Sequence, residues 1–246
     1  MSSAVIDPTE LRLRVSYRLQ SERLRTFPFE HFFIDQLFDR EISGNIREYW
    51  PCPESFDSIA STKRVSAGAY KQRKIISLEE YVGAGSGDSP TKSFWKTFHK
   101  AFGGDEFLSE IINWLWPSIR SVRELPDTIN LASEIVLTDD EVGYALTPHT
   151  DAPSRLVTIL FFVPENGNSE FAGTSLYVRK DNSVPGKISA VHQPRDQFDR
   201  VFTAPFRPDS ALGFIVGPTS YHGVEPLREL PTSRRQIQYC IRWTEA

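Results

Sequence analysis

The chain has 246 residues, of which 39% are hydrophobic and 24% charged, with a formal net charge of −4; this is the make-up of an ordinary globular protein. That charge balance gives no general attraction to nucleic acid or anionic membrane, and neither is expected as a partner. Only Cys52 and Cys240 occur, and the longest apolar run, Leu156 to Val163, has 8 residues, which argues against a disulfide framework, a cysteine zinc site and a membrane span.

Residues 1–27 carry five arginines and no apolar core segment, so a secretory signal is not expected and a cytoplasmic setting is the default. Leu11, Leu13, Val15, Tyr17 and Leu19 alternate as in a strand, although the same residue types suit a helix, and periodicity alone leaves both open. A short strand is predicted at His31–Ile34. Asp35 then reads as the cap of a helix over roughly 36–48 that stops before Pro51. The glycine-rich stretch from Gly83 to Pro90 reads as a loop. Helical spacing returns at 92–102 and at 105–116, with Pro117 close to the second helix's end. From about residue 128 the texture changes to eight short strands at 129–137, 143–147, 155–163, 173–179, 198–204, 210–216, 219–224 and 234–243, with a long loop over 180–199. This pattern predicts a mainly β protein with some helix. Its core is a jelly roll of two antiparallel sheets, spanning 128–246, and an N-terminal helical region, 1–127, covers one face of a single domain.

Within the strand-rich half, His149-Thr150-Asp151 puts an imidazole and a carboxylate two residues apart. In an extended segment both project to the same side and can grip one ion while Thr150 points away. His222, on a later strand, can complete a set of two imidazoles and one carboxylate, the facial triad that leaves open positions on a non-haem iron. H-x-D alone is a weak signal. The ordered context is stronger: the apolar strand Arg155–Val163, Gly173-Thr174-Ser175-Leu176-Tyr177-Val178, Asp209-Ser210-Ala211-Leu212-Gly213-Phe214 and Ser220-Tyr221-His222-Gly223-Val224.

Together these segments resemble the Fe(II)- and 2-oxoglutarate-dependent dioxygenases, in the prolyl-hydroxylase-like branch. The likeness covers roughly residues 128–243, and Phe27–Asp35 with Trp50-Pro51 resembles that branch's N-terminal entry. The resemblance implies a double-stranded β-helix and a hydroxylase that uses Fe(II), 2-oxoglutarate and O2. His149, Asp151 and His222 would be its metal ligands and catalytic centre. It also implies an arginine on the last core strand that pairs with the distal carboxylate of 2-oxoglutarate, a task suited to the planar guanidinium. Arg234 and Arg235, twelve and thirteen residues after His222, are the candidates, with Arg228–Thr232 lengthening the loop. Strand parity favours Arg234. Ile237, Tyr239, Ile241 and Trp243 form one face, and Arg234, Gln236, Gln238 and Cys240 form the other.

Some relatives carry a tyrosine where this chain has Phe162, so Thr158 or Tyr144 would have to supply the hydroxyl. Arg155, Tyr177 and Arg179 are candidate substrate contacts, while His31, His99 and His192 read as surface or capping residues. Halogenases of the family replace the carboxylate that Asp151 retains, so halogenation is not expected. The expected reaction is hydroxylation of an unactivated C–H of a small molecule (amino acid-, sugar- or natural-product-like), with release of succinate and CO2. A cupin-like metal enzyme that does not use 2-oxoglutarate and a non-catalytic jelly-roll binding module are the alternatives.

Overall fold

The computed structural model describes residues 7–62, 70–84, 89–165, 169, 171–228 and 233–245. Residues 85–88 of the predicted glycine-rich loop and 229–232 of the lengthened loop lie outside these. The first element is helix α1, Pro8–Gln20, with the Asp7 side chain accepting from the Glu10 amide and a proline in the first turn. The spacing of four in Leu11, Val15 and Leu19 wins over the spacing of two, since those three are buried while Leu13 is 52% and Tyr17 75% exposed. Strand β1, His31–Ile34, falls where expected. Helix α2 is shorter than expected, Arg40–Glu48, because its cap is Asp39, whose carboxylate accepts from the Ile42 amide. Asp35 instead meets Arg207.

Two strands precede the region where β-structure was expected, the short β2, Asp57–Ser58, and β3, Arg73–Ser77. Helices α3, Leu78–Gly83, and α4, Pro90–Phe102, follow. Helix α5 runs over Asp105–Val122 and continues five residues past Pro117. Burial of Leu115 before the proline and Ile119 after it holds the helix through the missing amide. The remaining strands are β4, Ile129–Asp140; β5, Leu146–His149; β6, Arg155–Phe162; β7, Ser175–Arg179; β8, Phe198–Thr203; β9, Ser210–Ile215; β10, His222–Val224; and β11, Arg234–Glu245.

These strands form two antiparallel sheets, one ordered β1-β9-β6-β11-β4-β3-β2 and the other β5-β10-β7-β8. The helices cover the outer face of the larger sheet, where Trp95, Phe98, Phe107, Ile111 and Leu115 pack with Ile237, Tyr239 and Ile241 of β11. A second apolar cluster, including Leu160, Phe162, Leu176 and Phe214, lies between the sheets. The architecture is the predicted jelly roll with one helix-covered face. Among the described residues no helix is long and apolar enough to cross a membrane.

Asp209 sits at the corner that joins β9 to the helical layer, with φ of 63°. Its carboxylate accepts from the Phe38 amide, and its backbone carbonyl accepts from the Leu37 amide at 3.0 Å. Burial pushes this carboxyl up to about 6. A raised folded-state value means that the folded protein holds the proton more tightly than the unfolded chain. Its contribution is therefore complete at low pH and is lost as pH rises through about 6. Asp209→Asn keeps the acceptor and tolerates positive φ. It should match the wild type in thermal stability at about pH 4 and exceed it at about pH 7.5; equal melting temperatures at both values would show that the carboxyl is not perturbed.

Candidate metal centre and active-site cavity

Strands β5 and β10 run antiparallel with His149 directly opposite His222. Directly opposed residues project to the same side of a sheet, and the two imidazole centroids are 4.4 Å apart. Gly223 allows this close pairing, because a Cβ there would collide with the Leu146 carbonyl of β5. Asp151 follows β5 two residues after His149 and points to the same place. One ligand atom from each of His149, Asp151 and His222 lies within 4.8 Å of the others, and all three residues are buried.

Hydrogen bonding fixes which atoms are presented. His149 Nδ1 lies 3.0 Å from the Thr147 carbonyl and His222 Nδ1 3.0 Å from the Ser220 carbonyl. Each ring therefore donates from Nδ1 and offers the lone pair of Nε2, the orientation that outer contacts impose on metal-binding histidines. Burial keeps both imidazoles below their ordinary range, His149 well below it. Burial alone would raise the Asp151 carboxyl. The Arg155 guanidinium beside it and the hydrogen bond from the Thr158 hydroxyl reverse that and hold it well below the usual carboxylate range. Two neutral imidazoles and an ionised carboxylate are the protonation states a divalent ion needs. The donor set fits the two-histidine, one-carboxylate class associated with non-haem Fe(II).

The three residues line a cavity of about 450 Å³ between the sheets. Along β11, Arg234, Gln236, Gln238 and Arg242 face it, whereas Ile237, Tyr239 and Ile241 face the helices. The structure thus directs Arg234 inward and not Arg235, which meets Asp139 and Glu165 at 3.5 Å and lies over Trp50. Arg234 is fully buried and is not alone. Its guanidinium donates to Asp140 Oδ2 at 2.8 Å, Gln236 Oε1 at 2.7 Å and Thr174 Oγ1 at 3.1 Å. Arg73 of β3 grips the same Asp140 carboxylate through two nitrogens, at 2.6 and 2.7 Å, and stacks over Tyr144 at 4.4 Å. Two guanidinium groups thus share one carboxylate in a buried corner. Around them Thr138 Oγ1, Tyr144 OH and Gln236 Nε2 are buried without a hydrogen-bond partner.

Of the two hydroxyls expected to face a co-substrate, Tyr144 points into this corner, whereas Thr158 donates to Asp151 Oδ2 at 2.7 Å. Arg155 lines the cavity and donates to Asp151 Oδ1 at 2.8 Å. Tyr177 and Arg179 are not brought to the cavity. Tyr177 packs with Phe198 and Tyr221 on the outer side of the smaller sheet and meets Glu225, and Arg179 pairs with Asp181. The alternation of β7 turns Thr174 and Leu176 inward and these two outward. His31 is buried beside Phe29 and Phe202. His192, read as a surface residue, in fact lines the cavity. It stacks on His149 at 4.3 Å and lies 2.7 Å from the Tyr70 hydroxyl.

Arg73, Asp140, Gln236, His192 and Arg242 were not singled out as site residues. The paired acids Asp139-Asp140 at a strand end were the available signal for a basic partner. The alternation Arg73, Ile75, Ser77 was the signal for the strand that supplies it.

No family model and no curated protein sequence matches the chain. Solved structures do. A prolyl hydroxylase from Trichoplax adhaerens, in complex with a hypoxia inducible factor oxygen degradation domain peptide fragment, superposes with a TM-score of 0.54 at 16% identity, over 96% of this chain and 90% of that one. The non-heme alpha-ketoglutarate-dependent epimerase SnoN from nogalamycin biosynthesis gives 0.52 at 14% identity, over 96% and 84%. The same epimerase in complex with Fe3+, alpha-ketoglutarate and nogalamycin RO gives 0.51 at 12% identity, over 96% and 84%. These likenesses define the fold, the jelly-roll core these enzymes share.

Asp140 is fully buried between its two arginines. Asp140→Asn should cost about 3–5 kcal/mol, the scale of removing one partner from a buried ion pair, in urea denaturation. A loss below about 1 kcal/mol, the scale of an exposed pair, would show that the corner is effectively solvated.

Proposed function

We propose that this protein is an Fe(II)- and 2-oxoglutarate-dependent oxygenase that hydroxylates an unactivated C–H bond of a small molecule, with succinate and CO2 as co-products. The observation that carries the reading is one cavity with two complementary ends. A buried two-histidine, one-carboxylate cluster lies at one end and a corner with an uncompensated guanidinium and three unpartnered polar atoms at the other. A dicarboxylate with a keto group suits both ends at once. The fold shared with the prolyl hydroxylase and the epimerase supports the reading. A cupin-like enzyme without a carboxylate co-substrate, or a binding module, gives no reason for the second end.

Iron bound at the triad would supply activation of O2 and oxidation of the substrate, coupled to loss of CO2 from 2-oxoglutarate. The chain's own residues set the conditions for this. His149, His222 and Asp151 would hold the metal. Thr147 and Ser220 keep the imidazoles in the correct tautomer, and Arg155 with Thr158 fixes the carboxylate so that its remaining lone pairs face the ion. Arg73 and Arg234 would bind the distal carboxylate, with Tyr144 OH, Thr138 Oγ1 and Gln236 Nε2 completing its hydrogen bonds. Burial of this corner excludes water and strengthens each contact. Asp140 holds both guanidinium groups in place before the co-substrate arrives.

Anaerobic addition of Fe(II) and 2-oxoglutarate should produce a visible charge-transfer band, and His222→Ala should abolish it; a wild-type protein without the band would end this reading. Arg73→Gln should weaken 2-oxoglutarate binding by about 1.5–3 kcal/mol, the scale of a hydrogen bond to a charged group, and Arg235→Gln should leave it unchanged. Equal effects of the two in calorimetric titration would place the carboxylate elsewhere.

A further inference from the structure

Beyond the co-substrate corner, the cavity carries a second electrostatic imbalance, at its more open side. Among the described residues, the arginines lining it are Arg73, Arg155, Arg234 and Arg242. Their carboxylate partners are Asp140, shared by Arg73 and Arg234, Asp151 for Arg155, and Glu134 for Arg242. Four cations thus face three anions. On the reading above, a divalent metal and the 2-oxoglutarate dianion add equal and opposite charge, so one excess positive charge survives in the loaded site.

That charge can be located. A metal ion at the triad would take up the negative charge of Asp151, so that Asp151 could keep its hydrogen bond with Arg155 and no longer balance that guanidinium's charge. Arg155 is largely withdrawn from water, with 18% of its side chain exposed, and its Nε is buried without a hydrogen-bond partner. Arg155 is also the cross-strand partner of Arg242 on β11. Two like charges directly opposite each other on adjacent strands repel. Glu134 pairs directly with Arg242, at 2.9 Å, and acts on Arg155 only through space; among the described residues the ion pair of Arg155 is with Asp151. An uncompensated guanidinium in a partly dry cavity is costly, and a substrate anion removes the cost on binding.

We infer that the substrate is a monocarboxylic acid whose carboxylate docks against Arg155, flanked by Arg242, while its less polar body lies against Ile59, Tyr70 and Ala190. These three line the same cavity and offer apolar surface with one hydroxyl. The proposal rests on the oxygenase reading and narrows it to organic acids. The paired charges also orient the substrate. The carboxylate is held beside Asp151, and the C–H bond presented to the metal lies a short distance along the chain from it.

The test uses full-length protein under nitrogen with Fe(II) and 2-oxoglutarate. Hexanoate, 3-phenylpropanoate and N-acetyl-leucine, each with its uncharged primary amide, are titrated by calorimetry while the visible band is recorded. At least one acid should bind about tenfold or more tightly than its amide, the scale of a charge-assisted hydrogen bond. Arg155→Gln is titrated with Fe(II) raised until its own band saturates, because the same guanidinium also holds Asp151. It should reduce that preference to about threefold or less, and Arg155→Lys should restore part of it. Arg242→Gln, whose ion pair is with Glu134 and not with the triad, should lower the preference by a smaller step with the wild-type band. A normal band with equal binding of acids and amides, with no acid bound, or with the preference intact in Arg155→Gln overturns the anionic-substrate inference alone. An absent band in the wild type overturns the oxygenase reading, and the inference with it.

Discussion

The antiparallel register of β5 and β10 sets His149 against His222, and the rest of the site depends on that pairing. A shift of one residue would turn either imidazole to the outer face of the sheet. A glycine after His222 is what lets the strands approach closely enough. Because the register is fixed by backbone hydrogen bonds and flanking apolar packing, the two imidazoles are positioned before any metal arrives. Asp151 then needs only the two-residue reach of an extended segment. Thr158, from the opposite sheet, meets its carboxylate and ties the two layers together at the site.

A second constraint comes from charge. The cavity is lined by groups that would be costly to bury singly, yet nearly all are matched. Asp140 is matched twice, by residues 67 and 94 positions away in the chain. Its partners lie on β3 and β11, the two neighbours of β4, so the carboxylate bridges three adjacent strands. Such an arrangement holds the guanidinium groups rigid, and little side-chain entropy remains to be lost when an anion binds. The unpartnered hydroxyls and amide nearby support the proposed co-substrate corner, since buried polar atoms without partners are rare in folded proteins.

Much of this was legible in the sequence, and the pattern of hits and misses has a physical logic. The jelly roll could be read because alternation and turn residues repeat through the second half. The triad could be read because H-x-D, a weak signal alone, stands in an ordered run of segments that resembles one enzyme family, with His222 at the matching place. Parity along β11 directed Arg234 inward because Ile237, Tyr239 and Ile241 had to meet the helices. Arg73 was not legible as a site residue. Its strand lies in a segment of mixed polarity, and its place beside β4 is a long-range pairing that no local pattern encodes. Tyr177 and Arg179 fell outside the cavity because the strand's phase, not its composition, decides which face its residues occupy. His192 escaped for a similar reason: the loop over 180–199 has no period, and it reaches the site only through tertiary contacts such as that of the Gln193 amide with the Pro148 carbonyl. The α1 segment was ambiguous because Leu11, Val15 and Leu19 satisfy both periods, and only burial against α4 and α5 separates them.

The N-terminal half is therefore more than a cover for the larger sheet. It supplies Arg73 to the deep corner and Ile59 and Tyr70 to the open side, so the chain segment before residue 128 touches both ends of the cavity. The jelly roll by itself positions the triad, since His149, Asp151, His222 and the carbonyls that fix the two tautomers lie within it. It does not by itself complete the cavity around that triad. The second guanidinium and part of the apolar wall come from β3 and the segments before it, which are joined to the core through the β3–β4 ladder. On the proposed reading, metal binding and ligand selection thus fall to different parts of one chain. The wall contributed by the first half can therefore vary without disturbing the register that holds the two histidines together.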